Sequence, residues 1–540
     1  MTPSSIRSRP FRAASCLPVR AARAVLGGAV GVVWLVLPGT TTSTGVPMAV
    51  TADRPAASAS AQGGASAADL VLPLVTAGAA AVLAGYGYVR RTRRARTRTT
   101  PGGAPAPPAP RPAARDDLSE ADGRARALLV EADDCVRTSR EELGFAEARF
   151  GAAAVAPFAR VLREAEAELA TAFGMRQRYD EGTGQDAGVR RQVLAGIVGR
   201  CQEAGRRLDA EAAGFDRLRG LERDPRDALV VAEQRFRELA ARTGAADGLL
   251  ARLRERYPAS ATAPVVGHVE QATDRLLFAT SRLNRARQCA DRGETARAAG
   301  HLRAAEGAVA QAAVFLHGVD RLAAELAAAR AMVPAALTGA EAEIAGARER
   351  SAVRTGADAG AEPATGRDVP AGELRARVLR ADAVLAAVRQ EVTGGPYDPL
   401  DALRRIVRAT LPLADGRAGV LPAAARLVAD SAVAAAADYV TTHRGAVGCA
   451  ARTRLAEAQR LLGPDPQARA EAEARARQAR ELAERDVRAH GTPLGGVGGH
   501  GSGAGGALLG GILLGGTPGG GPPASFGGPR TRSRRGVASA

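Results

Sequence analysis

The sequence predicts an all-α protein: long alanine-rich helices folded as antiparallel hairpins in a coiled-coil-like bundle, membrane-anchored, with disordered linkers and a disordered tail. Three observations point there. Aromatic residues make up only 3% of the 540-residue chain, and alanine supplies most of its 46% hydrophobic fraction. That composition favours helix and gives little bulk for a thick core. Apolar residues recur at heptad spacing through long charged stretches, with no convincing strand pattern. Lastly, an uncharged segment long enough to cross a bilayer is followed at once by a block of arginines.

The charge has to be located before it is interpreted. Lysine is absent, so arginine carries every fixed positive side-chain charge behind the net +17. Residues 1–98 hold 12 Arg against 2 acids, residues 530–535 hold four Arg, and Arg111 and Arg115 add two more. Residues 116–490 then have 56 Arg facing 55 acids. The basic character belongs to the flanks. Neutralising nucleic-acid phosphates needs a net basic face, so the balanced body is not expected to bind duplex DNA tightly. Lacking lysine, the chain also lacks a phosphate-loop G-K-[ST], a Schiff base and a kinase lysine.

The membrane anchor is residues 70–89, "LVLPLVTAGAAAVLAGYGYV", opening on Leu70 and closing on Val89. As a helix its 20 residues reach about 30 Å, the thickness of a bilayer core. Pro73 falls in the first turn, and Tyr86 and Tyr88 fall where an interfacial aromatic belt would lie. Arg90, Arg91, Arg93, Arg94, Arg96 and Arg98 follow as a basic stop, which the positive-inside rule assigns to the cytoplasm. The competing reading, a buried core helix, does not account for six arginines directly after the apolar run.

Upstream, residues 1–52 read as a signal-peptide-like or signal-anchor segment. The apolar run 24–37 lies behind Arg7, Arg9, Arg12, Arg20 and Arg23. "VTA" at 50–52 has the small-residue form of a cleavage site. Cleaved or retained, the segment leaves Arg90 onward in the cytoplasm. Residues 53–69 form a short extracytoplasmic linker, and 90–115 combine the basic stop with a Pro-rich spacer.

Helices then follow one another. In lobe 1, residues 116–350, a packing seam runs through Leu129, Val136, Leu143 and Phe150, with Ala125, Ala132, Ser139 and Ala146 beside it. Asp224 and Pro225 make a helix start, and Pro334 is expected to stop the helix that begins near Thr295. Residues 351–370 lose periodicity and read as a linker to lobe 2, residues 371–490. Leu283, Ala286, Ala296, Arg297 and Ala298 align without gaps on Leu455, Ala458, Ala468, Arg469 and Ala470, each set a helix, a tight turn and a helix. Residues 491–540 read as a Gly-rich disordered tail whose apolar insert, 507–516, is too short to span a bilayer.

The residues offer little catalytic chemistry. Cys16, Cys135, Cys201, Cys289 and Cys449 form no C-x-x-C and read as small structural thiols. His301 and His317 stand too far apart on one helix to pair as metal ligands. The neighbours Asp133 and Asp134, and Glu141 and Glu142, read as solvated charge. No catalytic residue, cofactor or metal is assigned. The partners expected are membrane lipid and proteins met through helical faces; the oligomeric state is left open.

Several segments carry a family resemblance: "DLVLPLVTAGAAAVLAGYGYVRRTRRARTRTTPGG", "ARALLVEADDCVRTSREELGFAEARFG", "GPYDPLDALRRI", "TTHRGAVG" and "GGALLGGILLGG". In these the chain resembles the transmembrane and cytoplasmic helical region of actinobacterial TPM-domain-containing membrane proteins. The resemblance implies a signal peptide, an extracytoplasmic TPM domain and then the span. Here residues 38–68 offer 31 residues of mostly small side chains where that α/β domain would stand. The TPM domain is therefore missing, and its phosphatase-type activity is not carried over. What remains implied is a membrane-anchored helical protein.

Overall fold

Heptad spacing becomes a helical hairpin at the start of the described chain. The structure, a computed structural model, describes residues 113–182, 186–357, 370–413, 419–490, 504–514 and 521–538. The expected signal segment, the span from Leu70 to Val89 and the stop formed by Arg90, Arg91, Arg93, Arg94, Arg96 and Arg98 lie outside these residues.

Helix α1, Ala113–Glu181, is broken at Gly151, where φ is 81° and ψ 162°, a backbone conformation that glycine alone adopts cheaply. The chain folds back there. Arg140 pairs with Glu166 at 2.7 Å, and Arg176 pairs with Asp122; pairs placed about symmetrically around residue 151 require antiparallel arms. Helix α2, Ala187–Arg219, runs against the second arm, with Arg200–Glu168 and Arg207–Glu164 at 2.6 Å. It ends at Gly220, whose left-handed φ of 59° lets its N–H reach the Asp216 carbonyl.

Next come α3 (Arg226–Arg256), the single turn α4 (Ala259–Thr262) with a 3-10 turn (Ala263–Val265), α5 (His268–Asp291) and α6 (Thr295–Ala357). Asp224 Oδ1 accepts the Arg226 N–H at 3.0 Å, near the expected start of α3. After α6 come α7 (Ala371–Gly394), α8 (Pro399–Thr410), α9 (Leu421–Thr442), α10 (Cys449–Arg460) and α11 (Pro466–His490), then the short α12 (Ala504–Leu509) and α13 (Pro529–Ala538). Asp398 caps α8 by accepting the Asp401 N–H at 3.0 Å. Both stretches aligned in the sequence form helix–turn–helix units, α5–α6 and α10–α11. Among the described residues there is no strand, and one isolated antiparallel bridge joins Leu513 to Pro523.

Two expectations need correction. Pro334 does not stop α6, which runs through it to Ala357. A proline inside a helix costs ~3 kcal/mol, but Val333 just before it and Ala336, Ala340, Ile344 and Ala347 beyond it are all buried, and that packing sustains the helix. The same packing joins the expected lobes. One apolar core takes Leu326 and Ile344 from α6, Leu374 and Leu385 from α7, Leu403 from α8 and Val428 from α9. The stretches on either side of 351–370 thus share a core, and residues 351–357 of that expected linker are helical. A second core joins the arms of α1 to α2, and a third lies among α9, α10 and α11. All the described residues belong to one compact unit, Pro108–Ala540.

Candidate functional site

The expected packing seam is turned inward. Leu129, Val136 and Leu143 are buried and Phe150 is half-buried, all within the core shared by α1, α2 and Cys449 of α10. The row of small residues beside them, Ala125, Ala132, Ser139 and Ala146, is buried too. The chain uses this seam on itself.

The adjacent acids are a correction. Asp133 and Glu142 are buried, and each of the four acids is engaged by an arginine distant in sequence. Arg452 of α10 holds Asp133 at 2.6 Å and Asp134 at 2.7 Å. Arg444 holds Glu141, with one contact at 2.9 Å. Arg219 makes a two-pronged pair with Glu306 at 3.0 and 2.6 Å, while Glu142 stands 3.5 Å from both Arg219 and Arg303. Burial drives the Glu306 carboxyl up, against the lowering effect of Arg219. Asp133 is also penalised by burial, but Arg137 and Arg452 together hold it below the usual carboxylate range. The sequence carried a signal for this: Asp133, Asp134, Glu141 and Glu142 lie within three residues of the seam positions, on the flank of a buried stripe, where a charge must meet another helix.

The tail is the second correction. Residues 505–514 and 521–534 are packed into the body. Gln311 Nε2 donates to the Gly510 carbonyl at 2.6 Å, and the Gly445 N–H donates to the Leu509 carbonyl at 2.9 Å. A Cβ added at Gly510 would run into the Gln311 amide, and one at Gly528 into the Gly205 carbonyl. Glycine is what lets the backbone lie this close. Further on, Phe526 is buried in the α1–α2 core. Asp209 of α2 then receives the start of α13, accepting the Gly528 N–H at 2.9 Å, the Thr531 N–H at 3.0 Å and the Thr531 hydroxyl at 2.6 Å. This carboxylate caps another element's helix, where the N–H groups are unpaired and the dipole is positive. Arg532 donates to the Asp134 carbonyl and the Thr138 hydroxyl. Ala507, Ile512 and Phe526 inside a glycine-rich run were the available signals.

A cavity of about 200 Å³ opens where α5, α6, α8, α9 and α11 converge. Val265, Leu322, Leu400 and Ala435 are among its apolar lining residues. Its polar lining residues include Arg321, Arg404, Arg477 and Arg480 with Glu325, Asp398, Ser431 and His268. Glu325 accepts from the Ser431 hydroxyl at 2.7 Å, and Arg321 pairs with Asp438 at 2.6 Å. His268 Nδ1 lies 3.3 Å from the Phe315 carbonyl. Burial lowers the His268 pKa to about 4, leaving the ring neutral near pH 7, and raises Glu325 and Asp398. Neither sequence motif nor spacing marked this group, whose members come from five helices.

Cys135, Cys201, Cys289 and Cys449 are buried free thiols. His301 and His317 lie apart, beside Arg282 and Arg242 respectively. Among the described residues no cluster of three or more His, Cys, Asp or Glu could hold a metal ion, and no helix is long and apolar enough to cross a membrane.

No family model matches the chain, and no solved structure matches it. It is similar to two Mycobacterium tuberculosis proteins, "UPF0603 protein MT2410" and "UPF0603 protein Rv2345", each 33% identical over 360 residues. The match covers 64% of this chain and 52% of each relative. The chain therefore spans about half the length of the curated relatives it matches.

Proposed function

We propose that the chain is a membrane-anchored cytoplasmic scaffold or adaptor without catalytic activity, a rigid helical body held near the bilayer by the span from Leu70 to Val89. The observation that supports this is how the body uses its buried charge. Arg219 of α2, Arg444 of the turn before α10 and Arg452 of α10 are committed to acids on α6 and α1, which ties α1, α2, α6 and α10 into one framework. Protein partners then meet its outer helical faces, since the seam from Leu129 to Phe150 is taken up internally. Membrane fractions washed with carbonate test the anchoring: the protein should stay in the pellet, and release into the wash refutes the span. Cross-linked partners recovered from those membranes and identified by mass spectrometry test the adaptor role, which fails if none is recovered reproducibly.

The second reading is a sensor of envelope stress or anionic lipid, supported by the six arginines directly after the span. Salt-sensitive binding to anionic vesicles that is lost when Arg90, Arg91, Arg93 and Arg94 become Gln would favour it.

A further inference from the structure

We propose that the cavity between α5, α6, α8, α9 and α11 is a binding site for a small organic anion, one with a carboxylate or phosphate head on a short apolar body. The polar groups in its wall are unevenly used. The acids are engaged: Glu325 accepts from Ser431, and Asp398 is committed to the cap of α8. The guanidiniums keep donors in reserve. Arg321 Nε and Arg404 Nε are buried and make no hydrogen bond among the described residues, although Glu325 lies 3.4 Å from the first and Glu473 2.9 Å from the second. Those approaches are ion pairs whose N–H groups are not aimed at the oxygens.

Arg321, Arg404 and Arg480 have counterions of their own outside the wall, Asp438 at 2.6 Å, Asp401 at 2.8 Å and Glu484 at 3.0 Å, and one further acid is shared. The carboxylate of Glu473, 3% exposed, serves Arg404, Arg408 and Arg477 together. Arg477 is the least committed, with Glu473 at 3.9 Å its sole ion pair among the described residues and half of its side chain exposed. A wall whose two acids are engaged, and which keeps two unbonded guanidinium N–H groups and the weakly paired Arg477, is complementary to an acceptor-rich anion. The apolar part of the lining, Val265, Leu322, Leu400 and Ala435, suits an apolar body. At about 200 Å³ the space lies below the usual range of drug-sized pockets, which limits the ligand to a small one.

This inference goes beyond the scaffold reading and is independent of it, since binding is measured whether or not the chain is anchored or meets partners. Titration calorimetry on the full chain in detergent, with empty micelles as the blank, would use acetate, butyrate and inorganic phosphate at constant ionic strength balanced with chloride. Saturable one-to-one binding of butyrate or phosphate is expected. Butyrate binding more tightly than phosphate assigns a carboxylate head with its apolar wall in use, and the reverse order assigns a phosphate head. Arg477→Gln, at a half-exposed position, should weaken binding about tenfold, the loss of one charge-assisted contact. Ala435→Leu should abolish binding by filling the cavity, with its circular dichroism melt checked against the parent. Heats that never saturate for any of the probes would overturn the proposal, as would affinity left unchanged by Arg477→Gln.

Discussion

Phe526, near the end of the chain, stacks on Phe215 of α2 with ring centroids 4.2 Å apart and planes 19° from parallel. Phe158 of α1 meets both rings edge-on, at 6.2 and 5.4 Å. A glycine-rich segment therefore completes the core of a helical hairpin far from it in sequence. Removing the Phe526 ring takes away both its buried area and its contacts. Phe526→Ala should cost about 3–5 kcal/mol, and Phe526→Leu clearly less. Urea melts of the full chain in detergent check this. Equal midpoints for parent and Phe526→Ala would mean that the segment lies on the surface.

The thiols report on the same core. Cys135 and Cys201 are buried, and burial pushes each thiol up to about 12. Thiolate is the reactive form, so both should resist a thiol reagent at pH 8 until the protein opens. They share a core with Phe526, whereas Cys289 lies on α5. Phe526→Ala should thus speed labelling of Cys135 and Cys201 more than that of Cys289, with sites read by peptide mass spectrometry. Uniform acceleration would point to global unfolding alone.

Acid should act through two buried histidines. His268 and His443 have pKa values lowered from 6.5 to about 4, chiefly by burial. Arg321, Arg480 and His443 bear on His268, and Arg275 and Arg480 on His443, each disfavouring the charged ring. The unfolded chain binds these protons first. The stability each ring contributes is full above pH 6.5 and is lost as pH falls toward 4, at most about 3 kcal/mol per ring. Glu325 and Asp438, with carboxyls raised by burial, act in the opposite direction as they protonate. The discriminating measurement is the difference between chains: His443→Gln should lose less stability than the parent from pH 7 to 5. Parallel pH curves would remove the histidines as the cause.

How much of this was legible depended on whether the signal was local. The all-α class and the seam at Leu129, Val136 and Leu143 follow from composition and heptad spacing, and Asp224 and Asp398 stand at their helix starts because caps act over three or four residues. Pro334 misled because its cost is local while the packing that outweighs it, at Val333, Ala336 and Ile344, comes from helices later in the chain. The tail misled for a related reason. Glycine is abundant in disordered chains and also where backbone must lie against backbone, as Gly528 does against Gly205, and composition does not separate these uses. The cavity was not legible at all, because His268, Arg321, Asp398, Ser431 and Arg477 meet only after five helices have packed.

The buried acids give the last prediction. Leu143→Asp places an unpaired carboxylate in the seam and should cost several kcal/mol, enough to threaten folding. Its neighbour Glu142 looks expendable in the sequence, yet it is 5% exposed and faces Arg219 and Arg303. Removing its charge leaves more positive charge buried than the site was built to neutralise. The two glutamates of this cluster differ in geometry, and that sets the order of their effects. Glu306 holds Arg219 through two close hydrogen bonds, whereas Glu142 stands 3.5 Å off and its oxygens make no hydrogen bond among the described residues. Glu306→Gln should therefore cost about 3–5 kcal/mol, the usual effect of breaking a buried pair, and Glu142→Gln about 1–2 kcal/mol. Replacing Glu306 and Arg219 together with Met should recover much of the loss, since no charge is then left stranded. Chemical denaturation of the single and double variants measures the coupling. A Glu306→Gln chain as stable as the parent would show that this pair does not hold α2 to α6.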